Sequence, residues 1–166
     1  MSLWTRLGAT LLLTAIGAPS WAGDLTVAIA GVHSHSGTLM VGLYDTAAGF
    51  GKAIEQSTKQ GLLNDPTRVV GVAMRAVTGT QSMVFKNLQS GSYVIIVFND
   101  EDDNGRLDEN YWGVPTEGYG FSNDAQGFLG APDFNAAAVA VDAADKAIMI
   151  NLIYPAALPA LSLITE

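Results

Sequence analysis

"SYVIIVFND", residues 92–100, is an almost unbroken apolar run that closes on Asn99 and Asp100. A run this short reads as a strand buried on both faces, and so as the centre of a sheet rather than its edge. Upstream, "SMVFKNL" (82–88) is a second strand, and Gly91 punctuates the two as a turn. Further out the pattern is period two. "LTVAIAGV" (25–32) sets Leu25, Val27 and Ile29 on one face, and "TLMVGLYD" (38–45) does the same with Leu39, Val41 and Leu43. The "HSHSG" between them, ending in Gly37, is expected to be a hairpin connection. "RVVGVAMRAV" (68–77) places Val70, Val72 and Met74 on one face, with Val69, Ala73 and Arg75 on the other. "AAVAVD" (137–142) and "AIMINLIY" (147–154) are expected to form a final hairpin around "AADK". About seven short strands without a long helix predict an all-β fold, an antiparallel two-sheet sandwich of the Ig-like kind.

Two segments break the alternation. "AAGFGKAIEQSTKQGLL" (47–63) reads as a loop with a short helix near residues 52–59. Glu109–Asn135 is one long Gly- and aromatic-rich loop, carrying Tyr111, Trp112, Tyr119, Phe121, Phe128 and Phe134. A connection that long is often functional in a compact domain, or else an ordered surface loop packed by its own aromatics. After Tyr154, residues 155–166 form an apolar tail that either adds an edge strand through "LSLIT" or frays.

The first 22 residues have one cation, Arg6, then an uncharged run from Leu7 to Ala18, then Ser20-Trp21-Ala22. That is the pattern of a secretory signal peptide, and the run is shorter than the roughly 20 residues a membrane span needs. Cleavage after Ala22 is expected, leaving one domain over 23–154, periplasmic or secreted, with no membrane insertion. Losing Arg6 takes the net charge from −8 to −9, which disfavours nucleic acid as a partner. Zero Cys excludes disulfides, thiol catalysis and Cys-ligated metals.

Six of the sixteen acidic residues lie between Asp100 and Glu109, in "DEDDNGRLDE". Counted from Asp100, oxygen-bearing side chains fall at positions one, three and five (Asp100, Asp102, Asn104), with Gly105 at six and Asp108 at nine. EF-hand calcium loops open with that spacing, because alternate residues of a tight turn point inward and Gly permits the bend. Arg106 would offer its carbonyl, and Glu117 is a candidate to complete the set. Tyr111 stands at position twelve, where an EF-hand has a bidentate Glu, and no flanking helices are predicted, so the loop is not an EF-hand. Asp-Asn-Gly is also good turn chemistry, so calcium, another cation and a solvated turn all remain open.

"FKNLQSGSYVIIVFNDEDDNGRLDEN" with "WGVPTEGYGFSNDAQGFLGAPDFNAAAVAV" closely resembles the bacterial exported family known as domain of unknown function 2141. The resemblance spans about Leu25 to Tyr154. The family's motif falls on Asp100, Glu101, Asn104, Gly105, Leu107 and Asp108. It continues over Gly113, Pro115, Glu117, Gly118, Tyr119, Gly120, Phe121, Ser122 and Asn123. Asn99 stands where the family usually has His, and Asp102-Asp103 make this loop more acidic. The "F-x-N-L-x-x-G-x-Y" turn also resembles transthyretin-like and carboxypeptidase-regulatory domains, which implies the same sandwich. The resemblance supplies no activity.

Other chemistry is thinner. His33 and His35 would share a strand face, but two ligands fall short of the three protein ligands of a zinc site. Ser122 lacks the Gly-x-Ser-x-Gly elbow and reads as a turn residue. Asp133 and Asp142 read as surface turn acids. Asp100, Asp108 and Glu117 are carboxylates of the type glycoside hydrolysis uses, but acids on a solvated loop lack the raised pKa of a general acid. The expected function is an exported non-enzymatic module, with Ca²⁺ in the 100–108 loop. Tyr111, Trp112, Tyr119 and Phe121 would face a protein or glycan partner. The alternatives are a carboxylate-dependent glycan hydrolase and a structural assembly subunit.

Overall fold

A computed structural model describes residues 23–128 and 130–155. Two sheets face one another. In the smaller, β1 (Leu25–Val32) lies between β4 (Gly79–Phe85) and β8 (Lys146–Asn151). In the larger, the order is β3 (Val70–Arg75), β2 (Thr38–Tyr44), β5 (Gly91–Asp100) and β6 (Tyr119–Phe121), and β7 (Val139–Val141) also pairs with β5. The pairing is antiparallel except between β1 and β8, which run parallel. The fold is thus an all-β two-sheet sandwich. The strand not expected from sequence is β6, inside the long loop.

The alternating residues meet as the periodicity requires. Leu25, Val27 and Ile29 of β1 and Leu39, Val41 and Leu43 of β2 are fully buried, and Tyr93, Ile95 and Val97 of β5 pack with them. Burying each such side chain is worth about 1.5–3 kcal/mol. A register shift between Ile29 and Val32 puts Val32 in the same core, three residues on. The other face of β5 carries Val94, Ile96 and Phe98 into a second core with Phe50, Ala53, Leu62, Phe121 and Ala137. This explains why "SYVIIVF" never alternates: both faces are covered.

The second cover is α1 (Ala47–Ser57), longer at its start than the helix expected at 52–59. Thr46 caps it, its side chain accepting from Gly49 N at 3.2 Å. Phe50, Ala53 and Ser57 give the buried face, but Gly49 and Gly51 lower the helical propensity that sequence reading relies on.

Neither of the two expected hairpins forms, and the turn expected at Gly91 also joins two sheets. β1 and β2 belong to different sheets, as do β4 and β5, so their connections cross the sandwich. The final pair also separates: β7 joins β5 through Gly91↔Val141 and Tyr93↔Val139, while β8 runs beside β1 from Leu25↔Lys146 to Ala30↔Asn151. Polar, Gly-rich turns serve an arch between sheets as well as a hairpin, so turn chemistry does not distinguish them. Gly37 is needed for another reason. At φ +77°, a Cβ there would lie 1.8 Å from the carbonyl oxygen of Asp100. The expected signal peptide (1–22) and "LSLIT" lie outside the described residues. Among the described residues, no helix is long and apolar enough to cross a membrane.

Candidate metal centre

Asp100 is the last residue of β5, opposite Thr38 of β2, and is fully buried. Its carboxylate organises the turn that follows. Oδ1 accepts from Asn104 N at 3.0 Å and Oδ2 from Gly105 N at 2.7 Å. Asp102 Oδ1 also accepts from Asn104 N, at 3.1 Å. The turn needs two left-handed residues, Asp103 at φ 60° and Gly105 at φ 82°. Glu117 closes the loop from its far side. Oε1 accepts from Glu101 N at 2.7 Å and Oε2 from Asp108 N at 3.0 Å, so one carboxylate ties the strand exit to the loop's end.

The surrounding elements hold this arrangement. Leu107 N donates to Ser57 O at the end of α1 (3.0 Å), and Thr38 Oγ1 donates to Asp103 Oδ1 (2.7 Å). Asn99 N donates to Gly118 O at 2.7 Å, extending the β5–β6 pairing past Phe98↔Tyr119 and setting Glu117 level with Asp100. As a result Asp100, Asp102 and Glu117 each bring one carboxylate oxygen to within 4.8 Å of the others. Asp100 is 0 % and Glu117 6 % exposed, while Asp102 faces solvent.

Burial holds the Asp100 carboxyl above the usual range; the Gly105 and Asn104 N–H groups oppose the shift, and Asp102 adds to it. Glu117 is raised too, first by burial and then by Asp100 and Asp108, against the N–H groups of Asp108 and Glu101. Among the described residues, no basic side chain forms an ion pair with these carboxylates. The one ion pair among the described residues is Lys59–Glu55, on exposed helix surface.

Several expectations change. The acids are not all solvated, because β5 is covered on both faces up to its last residue. Asp108 does not join the three converging oxygens; its Oδ1 accepts from Asn104 Nδ2 at 3.0 Å. Asn104 Oδ1 accepts from Arg106 N at 2.9 Å, a turn within the loop that leaves the Arg106 carbonyl out of that bond. The aromatics divide. Tyr111 and Trp112 are 94 % and 75 % exposed, edge to face with centroids 5.4 Å apart. Phe121 is buried in the second core and Tyr119 half-buried, since β6 pairs with β5, so these two meet Trp112 only along the wall of a cleft that all three line.

The histidines also part company. His33 stacks on Tyr154 at a centroid distance of 4.0 Å, and His35 lies 3.1 Å from Thr78 Oγ1. Ser122 does open a turn, the 3-10 segment Ser122–Asp124, but the turn sets its side chain inward. Fully buried, its Oγ accepts from Ile95 N (3.0 Å) and donates to Ala137 O (2.6 Å). Sequence reasoning missed it because Ser-Asn-Asp after an aromatic run is ordinary turn composition. Asn99 was noted only as a departure from the family. It is fully buried, with Nδ2 3.3 Å from both Glu101 Oε1 and the Tyr154 hydroxyl.

Two cavities flank the acidic loop. A groove of about 560 Å³ is polar, lined by His35, Arg75, Glu101, Asp102 and Asp103 among others. A cleft of about 550 Å³ lies on the α1 side. Of the three converging carboxylates, Asp102 lines the groove, and Asp100 and Glu117 line neither cavity.

Residues 27–149 match the family described as "Uncharacterized protein conserved in bacteria (DUF2141)", and the chain belongs to that family. No curated protein and no solved structure matches it.

Proposed function

Proceeding from that membership, we propose that the chain is an exported, non-enzymatic β-sandwich that binds a calcium ion through Asp100, Asp102 and Glu117. One observation carries the reading. Two carboxylates are buried side by side next to a third, and among the described residues no cationic side chain pairs with them. Buried charges are ordinarily paired or bound to a metal, and an all-oxygen set favours a hard cation. The EF-hand-like spacing from Asp100 supports calcium over magnesium, which keeps most of its waters. Export rests on the signal-like first 22 residues. Tyr111 and Trp112 offer an exposed aromatic surface to a protein or glycan partner.

The test is thermal unfolding in EDTA and then in millimolar Ca²⁺, Mg²⁺ and Zn²⁺. A calcium-selective rise supports the reading; superimposable curves in all four conditions overturn it.

A further inference from the structure

The cleft between α1, the 107–115 turn and β6 has a volume of about 550 Å³. Well-packed interiors leave few voids larger than a water molecule, whereas small-molecule sites run to roughly 300–1,000 Å³ with mostly apolar walls and few polar groups. Ile54, Phe98, Leu107 and Tyr119 supply apolar wall, Trp112 stands at the side of the turn, and Glu109 is the one charged side chain among the described lining residues.

That wall is ordered. Asn110 Oδ1 accepts from Trp112 N (2.9 Å) and Val114 N (3.2 Å), and Glu109 pairs with Pro115 across the turn. The turn therefore holds an indole that is three-quarters exposed beside an apolar cleft, next to a carboxylate with no ion-pair partner among the described residues. An exposed indole face and an unpaired carboxylate both attract an organic cation. The chain's net charge of −8 works against an anion or a second copy of itself.

We propose that this cleft binds a small amphipathic cation, an amine on an aromatic or aliphatic body. The body lies against Leu107 and Tyr119, and the ammonium meets Glu109 and the indole of Trp112. The site uses none of Asp100, Asp102 or Glu117 and does not depend on the ion.

The experiment is calorimetric titration of the full chain in EDTA with three probes of matched body: tryptamine (cation), tryptophol (neutral) and indole-3-acetate (anion). Tryptamine is expected to saturate at millimolar concentration or below, about fivefold tighter than tryptophol, with indole-3-acetate weakest. Glu109→Gln should bring tryptamine down to the level of tryptophol and leave tryptophol unchanged. Trp112→Ala should weaken both. Both side chains are exposed, and melting curves of the variants confirm their folding. The proposal is overturned if no probe saturates at millimolar concentration, if tryptamine has no advantage, or if the advantage survives Glu109→Gln. Unchanged affinities in Trp112→Ala overturn it as well. Working in EDTA keeps this outcome separate from the fate of the calcium reading.

Discussion

Asp100→Asn separates the two jobs of one carboxylate. Asp100 accepts from Asn104 N and Gly105 N. Asn is nearly isosteric and keeps one acceptor, so one of those N–H groups faces an amide donor instead. Losing a hydrogen bond to a charged group costs roughly 1.5–3 kcal/mol. Against that, the variant no longer buries a charge beside Asp102 and Glu117, which returns a comparable amount. In EDTA the two should nearly cancel, leaving the variant within about 1 kcal/mol of wild type.

Calcium breaks the balance. For a dissociation constant on the order of 10⁻⁴ M, about 10 mM Ca²⁺ is near 100 times that constant and stabilises wild type by about 2.7 kcal/mol. For a domain of this size the melting temperature should rise by roughly 8–12 °C. A tenfold loss of affinity in Asp100→Asn leaves about 1.4 kcal/mol, and a larger loss leaves less. Calorimetric melts of both proteins, with and without calcium, complete the cycle. Equal calcium shifts in the two would refute the assignment of Asp100 as a ligand. No shift in either would mean that backbone N–H groups alone carry the buried charge.

The remaining predictions concern pH, packing and glycine. Asp100 and Glu117 have folded pKa values raised above 3.8 and 4.5, so each contributes stability below its unfolded value and loses it as pH rises through the folded one. In EDTA, wild type should therefore gain on the Asp100→Asn/Glu117→Gln double variant as pH falls from neutrality through the carboxylate range. Urea midpoints across a pH series give the slope, and the opposite sign would contradict the burial. Calcium stabilisation should fade over the same range, since the ion binds the ionised forms. Ser122→Ala strands Ile95 N–H and Ala137 C=O in the interior and should cost about 2–4 kcal/mol by urea unfolding; a loss below about 1 kcal/mol would mean water replaces the hydroxyl. Gly37→Ala drives a methyl into the Asp100 carbonyl and should both destabilise the fold and weaken calcium binding. Gly105→Ala meets open space, so it should cost only the left-handed strain of about 1–2 kcal/mol; equal losses in the two would remove the close-approach argument.

The inward faces of β1, β2 and β5 were legible because alternation is a local property. Leu25, Val27 and Ile29 declare a common side whatever strand lies next to them. Partnership is not local. β1 pairs with β8, more than a hundred residues away, and nothing in "AIMINLIY" distinguishes a parallel neighbour of β1 from a hairpin partner of β7. The start of α1 was hidden differently: a Thr cap and a buried Phe50 outweigh two glycines once the helix has a core face to cover.

The candidate site was half legible, and the other half lay in two readings that belong together. The run 92–98 says that β5 is covered on both faces. The acidic spacing says that the loop begins at Asp100. A covered strand whose last residue opens the loop must bury that residue's carboxylate, and Asp100 is indeed fully buried. Glu117 could not be placed this way, because its position follows from the register of β6 against β5, a pairing only a few residues long inside an apparently irregular segment. That register gives the site its stiffness. Asp100 and Glu117 are fixed by neighbouring strands of one sheet, while Asp102 rides on the exposed turn. An ion held here would therefore find two carboxylates already set by the fold and need to order only the third.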